Sequence, residues 1–164
     1  SKGMGVLCLI YGTLLMVGAA SGGSHLLKPL ANFNIHQKPA FQQHALPFKT
    51  IKNIDELTVS LDRAAKNKQR VMLDFYADWC VTCKQMEAYT FSDPSVQAAL
   101  KNTVLIQADV TKNDDEDQAL LKTFSLIGPP AIIFFDLDSS EIKQSRVIGY
   151  MEPTHFLEHL ETLP

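Results

Sequence analysis

Arg70–Lys84 reads RVMLDFYADWCVTCK, and this stretch decides the architecture. Its first half, Arg70 to Ala77, is an apolar run rich in β-branched and aromatic residues, short enough for a buried strand. Its second half sets Cys80 and Cys83 two residues apart, where a helix is expected to begin. Cysteines at that spacing approach closely enough to bond, and the unpaired amides of a helix start stabilise a thiolate on the first of them. Cys80 is therefore the expected nucleophile, with a thiol pKa lowered from about 8.5 to around 7 or below. Cys83, one turn further in, is expected to be more buried and to resolve a mixed disulfide formed by Cys80. The third cysteine, Cys8, lies far away in an apolar run, so the three make a redox pair and an outlier rather than a disulfide scaffold.

Working outward, Phe48–Ile51 is a short edge strand, and Asn53 caps a helix whose stripe is Ile54, Leu57, Leu61 and Ala64/Ala65. The helix that starts near Cys80 is expected to break around Ser92-Asp93-Pro94, with a further helical piece through Leu100. Thr103–Val110 reads as a second central strand, and Asp114–Phe124 as a helix whose acidic first turn suits its dipole. Gly128-Pro129-Pro130 interrupts the chain before the strand Ala131–Phe135; a turn at Asp136–Ser140, a strand at Arg146–Gly149 and a helix opened by Pro153 follow. The order β-α-β-α-β-α-β-β-α predicts an α/β fold, a central mixed sheet flanked by helices, over residues 48–164.

The N-terminal flank is of another kind. Met4–Ala20 has no Asp, Glu, Lys, Arg or His and sits at the short end of a membrane-spanning helix, which needs roughly 17–25 apolar residues. Residues 1–23 are read as that helix; the competing reading is a secretory signal, with Lys2 as its charged start and Val17–Ser21 as its cleavage region. Residues 24–47, rich in His, Gln, Asn and Pro, read as a linker in which His25, His36 and His44 are solvated. A net charge of −3 over 164 residues supplies no positive field for phosphate backbones, which argues against nucleic-acid partners.

Two carboxylates stand out beside the cysteines. Asp74 alternates with Leu73 and Phe75 in a strand covered on both faces, so desolvation should raise its pKa and let it exchange a proton near neutrality. Glu87, four residues after Cys83, shares its helix face, where it either opposes thiolate formation and helps proton transfer or is a plain surface acid. Asp78 and Lys84 are read as exposed. Pro130, if cis, would turn the chain and expose backbone groups to an extended substrate; an ordinary turn is the alternative.

Three motifs compete with this chemistry. CxxC with His155-x-x-x-His159 imitates a zinc site, but its halves are separated by most of the domain. His155–His159 also matches H-x-x-E-H, an inverted zinc-protease signature that lacks a downstream ligand. Both histidines are read as surface residues. Asp109–Asp114 resembles the start of a calcium loop without its sixth-position Gly or its terminal Glu, and is read as a solvated loop and helix start.

Together, the strand ending Asp74-Phe75-Tyr76-Ala77, the Trp79-Cys80-x-x-Cys83 motif and Pro130 before a strand resemble the thioredoxin superfamily. The strings LDFYADWCVTCK (73–84), YTFSDPSV (89–96) and LIGPPAIIFF (126–135), with the preceding apolar segment, are closer still to the C-terminal domain of the DsbD family of transmembrane thiol:disulfide interchange proteins. That resemblance implies a protein-disulfide reductase in the periplasm, tethered to the bacterial inner membrane. Cys80 and Cys83 would take electrons from the family's membrane region and pass them to its N-terminal periplasmic domain. Disulfide isomerase and cytochrome c maturation proteins would be the final recipients. No bound cofactor is implied, since the family draws electrons from cytoplasmic thioredoxin and NADPH. Asp74 and Glu87 match acidic positions near the family's active site, and Trp79 and Pro130 are read as substrate-binding. Ala131 stands where thioredoxins often have Thr. Competing functions are an independent oxidase or isomerase of the same fold, and a zinc-stabilised binding module.

Overall fold

The computed structural model describes residues 2–20 and 46–164, with side chains from 3–13 and 46–164. The chain divides into two units at 42/43. Most of the expected linker, with His25, His36 and His44, lies outside the described residues.

In the first unit a helix, α1, forms over Lys2–Ala20. Among the described residues no helix is long and apolar enough to cross a membrane. The expected membrane segment, residues 1–23, overlaps α1.

The second unit is built on a five-stranded sheet: β1 (Lys49–Ile51), β2 (Val71–Tyr76), β3 (Val104–Asp109), β4 (Ala131–Phe135) and β5 (Val147–Ile148). Its order is β1-β3-β2-β4-β5; the β1/β3 and β3/β2 pairs are parallel, and the β2/β4 and β4/β5 pairs antiparallel. The sheet is mixed, as expected. Strand β2 lies at its centre with Val71, Met72, Leu73 and Phe75 fully buried, which explains its near-continuous apolar run. Alternation along the strand sends Leu73 and Phe75 to one core, with Leu57, Ile106, Leu120, Phe124 and Ile133. Met72 enters the other core, with Met86, Phe91, Leu105, Phe134 and Phe156.

The helices follow from their caps. Helix α2 (Ile54–Lys66) starts where Asn53 Oδ1 accepts the Glu56 amide at 3.0 Å, and turns Leu57, Ser60 and Ala64 inward. Asp93 caps α4 (Pro94–Ala99), with Pro at a position that needs no amide. Between them the expected single helix is two pieces. Helix α3 (Val81–Gln85) runs into a π-helical turn, Met86–Thr90, closed by the Phe91 amide on the Met86 carbonyl at 2.8 Å. That turn grips the loop before α6 (Pro153–Glu161): the Met151 amide donates to Met86 Sδ at 3.3 Å, and the Thr90 hydroxyl to the Met151 carbonyl at 2.6 Å.

Helix α5 (Asp115–Thr123) opens on a capping box between Asp114 and Asp117. Lys52, just past β1, pairs with Asp114 at 2.7 Å and with Asp117, whose side chain is 1% exposed. Lys52→Met would leave that buried carboxylate without its cation. The expected cost is about 2 kcal/mol, less than for a fully buried pair because Lys52 reaches solvent. A fall in the urea midpoint at unchanged slope checks this; an unmoved midpoint contradicts it.

Candidate active site

The loop from β2 to α3 carries the cysteines. The Cys80 amide closes a turn on the Ala77 carbonyl at 3.0 Å, and Cys80 is the N-cap of α3. Cys80 and Cys83 are joined by a disulfide with a Cα–Cα distance of 5.3 Å. The Cys83 amide donates to Cys80 Sγ at 3.1 Å, so one of the orphan donors of the helix start is spent on the sulfur expected to carry charge. Both cysteines are buried, at 6% and 4% exposure. Exposure therefore hardly separates them; the capping role does. Cys83 Sγ lies 3.9 Å from the Phe75 carbonyl oxygen, against the end of β2.

Asp74 is 4% exposed in the middle of the sheet. Burial pushes its carboxyl up to about 7; a hydrogen bond from Gln107 opposes the rise and the charge of Glu87 adds to it. Gln107, paired with Asp74 across the parallel β2/β3 register, donates Nε2–H to Asp74 Oδ2 at 3.0 Å. Glu87 lies exposed in the π-helical turn, as the surface-acid alternative expects; partial desolvation still raises its carboxyl, against hydrogen bonding to Gln107 and the charge of Lys84. The amide that bonds Asp74 thus also opposes the rise at Glu87. Gln107 was not among the sequence candidates; the available signal was a polar residue between buried Ile106 and Ala108 in a strand read as central.

Trp79 is 60% exposed, with its indole N–H donating to the Thr111 carbonyl at 3.1 Å. Asp78 and Lys84 are exposed, as expected. Asp78 Oδ1 accepts the Tyr76 hydroxyl at 2.9 Å, and burial, that bond and the charges of Glu87, Asp78 and Asp109 all hold the phenol protonated. The Pro129–Pro130 peptide is cis. Phe75 pairs with Ala131, so Pro130 stands at the end of the sheet from which the cysteine loop leaves. Gly149 donates to the Pro130 carbonyl at 3.3 Å.

The zinc candidates separate from the cysteines. The two sulfurs are bonded to each other, and among the described residues no group of three or more His, Cys, Asp or Glu is placed to hold a metal ion. His155 is exposed and pairs with Glu152 at 3.1 Å. His159 is not the surface residue expected: it is half-buried, its Nε2 2.7 Å from the Ser145 carbonyl oxygen and its ring 5.8 Å from that of Phe134. Amphipathic spacing alone hid this, because α6 also buries the flank beside Phe156.

A disulfide that caps a helix at the end of a mixed sheet, beside a proline-headed strand, defines a disulfide oxidoreductase of thioredoxin type. A family model described as Thioredoxin-like matches residues 52–136. The thiol:disulfide interchange protein DsbD of Ralstonia nicotianae is 44% identical over 161 residues, 97% of this chain and 26% of that protein. DsbD of Escherichia coli O6:H1 is 54% identical over 118 residues, 72% of this chain and 20% of that protein. The crystal structure of the oxidised Neisseria meningitidis DsbD C-terminal domain is 37% identical with a TM-score of 0.60, covering 69% of this chain and 97% of that domain. The chain belongs to the thioredoxin-like family, and within it to the group of DsbD C-terminal domains. It spans about a quarter of the length of the curated relatives it matches.

Proposed function

We propose that the chain passes reducing equivalents, through Cys80 and Cys83, from a membrane electron-transfer region to protein disulfides on the periplasmic side of a bacterial inner membrane. The observation that carries this reading is the Cys80–Cys83 disulfide capping α3 in a sheet that buries Asp74. Placement beside a membrane is supported by the apolar sequence of α1, where Met4, Val6, Leu7, Leu9 and Ile10 are exposed, and by the resemblance to the DsbD family.

Starting from the dithiol, Cys80 thiolate attacks a partner disulfide. A Cys80–partner disulfide forms and the partner's first sulfur leaves as thiolate. Cys83, having lost its proton, attacks Cys80 Sγ; the mixed disulfide breaks, the partner's second sulfur leaves, and Cys80–Cys83 is re-formed. Two electrons pass to the partner, whose two thiolates take their protons from solvent. Asp74 takes up the Cys83 proton, Gln107 and Glu87 set how readily it does so, and Trp79 and Pro130 border the approaching chain. Re-reduction by a dithiol of the membrane region runs the same steps in reverse.

With Asp74 raised to about 7, exchange by the wild type is expected to quicken as pH rises through neutrality and the carboxylate forms. Asp74→Asn should flatten that limb and slow exchange by up to about a hundredfold near pH 8, the low end of general-base contributions. Stopped-flow rates across that range decide it. An unchanged pH profile removes Asp74 from the proton path.

A further inference from the structure

The loop Asp109–Asp114, a poor match to a calcium motif, holds a residue, Thr111, that bonds both residues preceding Cys80, one through its hydroxyl and one through its backbone carbonyl. Thr111 Oγ1 accepts the Asp78 amide at 2.9 Å while donating to Asp109 Oδ1 at 2.5 Å. The Thr111 amide donates to the same carboxylate oxygen at 3.0 Å, and the Thr111 carbonyl accepts the Trp79 indole at 3.1 Å. A side chain that donates and accepts at once is required here. A hydroxyl meets that requirement and an isosteric isopropyl group does not. A recess of about 320 Å³ bordered by Lys52, Asp78, Asp109, Thr111 and Lys112 opens beside the clamp.

An indole that is 60% exposed gains little from burial, so without this hold it would sample several rotamers. We propose that Asp109 and Thr111 are positioning residues: they fix the Trp79 indole and the Asp78 amide as a rigid rim beside Cys80, and so set affinity for protein disulfides rather than the reactivity of the thiols. Ordering the rim in advance removes a cost that each docking partner would otherwise meet. The inference rests on the proposed reading of Cys80–Cys83 as an exchange pair with Trp79 at its partner-facing edge.

The test uses the full chain, kept reduced by excess dithiothreitol, with insulin as a protein disulfide and oxidised glutathione as one too small to span the rim. Trp79 is the single tryptophan, so time-resolved fluorescence anisotropy reports its indole alone. Thr111→Val and Asp109→Ala are expected to free the indole and raise KM for insulin roughly three- to tenfold, the scale of one ordinary hydrogen bond. Insulin kcat and the glutathione rate should stay within about twofold on the same scale. Thr111→Ser and Asp109→Asn keep the acceptors and should restore wild-type anisotropy and KM. An indole equally immobile in Thr111→Val, a freed indole with unchanged KM, or a glutathione rate that falls in step with the insulin rate would each overturn the proposal. Failure of the exchange reading itself shows separately, as a wild-type chain that reduces neither disulfide.

Discussion

Cys80→Ser is expected to abolish transfer of electrons to a partner disulfide, a loss of several orders of magnitude, because the alcohol lacks the nucleophilicity of a thiolate at neutral pH. Cys83→Ser should fail differently. Its Cys80 still attacks, but nothing displaces the partner, so a stable Cys80–partner disulfide should accumulate and be visible by intact mass. The proposed order of attack rests on the cap: the α3 amide of Cys83 points at Cys80 Sγ, while Cys83 Sγ faces the Phe75 carbonyl oxygen. The helix start therefore favours charge on the first sulfur and not on the second. A Cys80→Ser chain that retains activity, with mixed disulfide forming at Cys83, would reverse the assignment.

The second large effect is on stability and has a definite sign. Asp74 is raised from an ordinary carboxyl value near 3.8 to about 7 by its burial. Between those values the folded protein holds a proton that the unfolded chain releases, so stability falls as pH rises through the window. The gap amounts to about 4 kcal/mol as an order of magnitude, fully present as stability only below about pH 4 and lost above about pH 7. Asp74→Asn removes the ionisation and keeps a polar partner for Gln107. The variant is expected to exceed the wild type by up to about 4 kcal/mol near pH 8, with the difference shrinking toward zero as pH approaches 4. Urea midpoints of the oxidised chains across that range measure it, and parallel pH dependences would refute it. A residue that slows exchange when replaced while stabilising the fold is the trade expected of a site shaped for proton transfer.

Much of this was legible in residues 70–84, for a physical reason: a strand buried on both faces must be apolar throughout, so Asp74 inside it was conspicuous, and the cysteine spacing leaves few other chemistries. Asn53 was readable as a cap because capping depends on the side chain at one position. The π-helical turn at Met86–Thr90 was not, since its one-residue insertion leaves the apolar spacing close to an ordinary helix. Strand order was also out of reach, because insertion of β3 between β1 and β2 is decided by the packing of whole elements. Gln107 and Thr111 act through register and loop contacts, Gln107 opposite Asp74 and Thr111 bonded to Trp79; a polar residue in a central strand marked Gln107 but not its partner, and nothing local marked Thr111. His159 was misjudged because the Ser145 carbonyl that meets it comes from a distant turn.

The most direct test of the proposed role is the reduction potential of the Cys80/Cys83 couple, measured by equilibration with glutathione or thioredoxin buffers. A chain that delivers reducing equivalents should lie on the reducing side, nearer thioredoxin's value of about −270 mV. A potential near −120 mV, the range of a dedicated oxidant, would contradict that direction of flow.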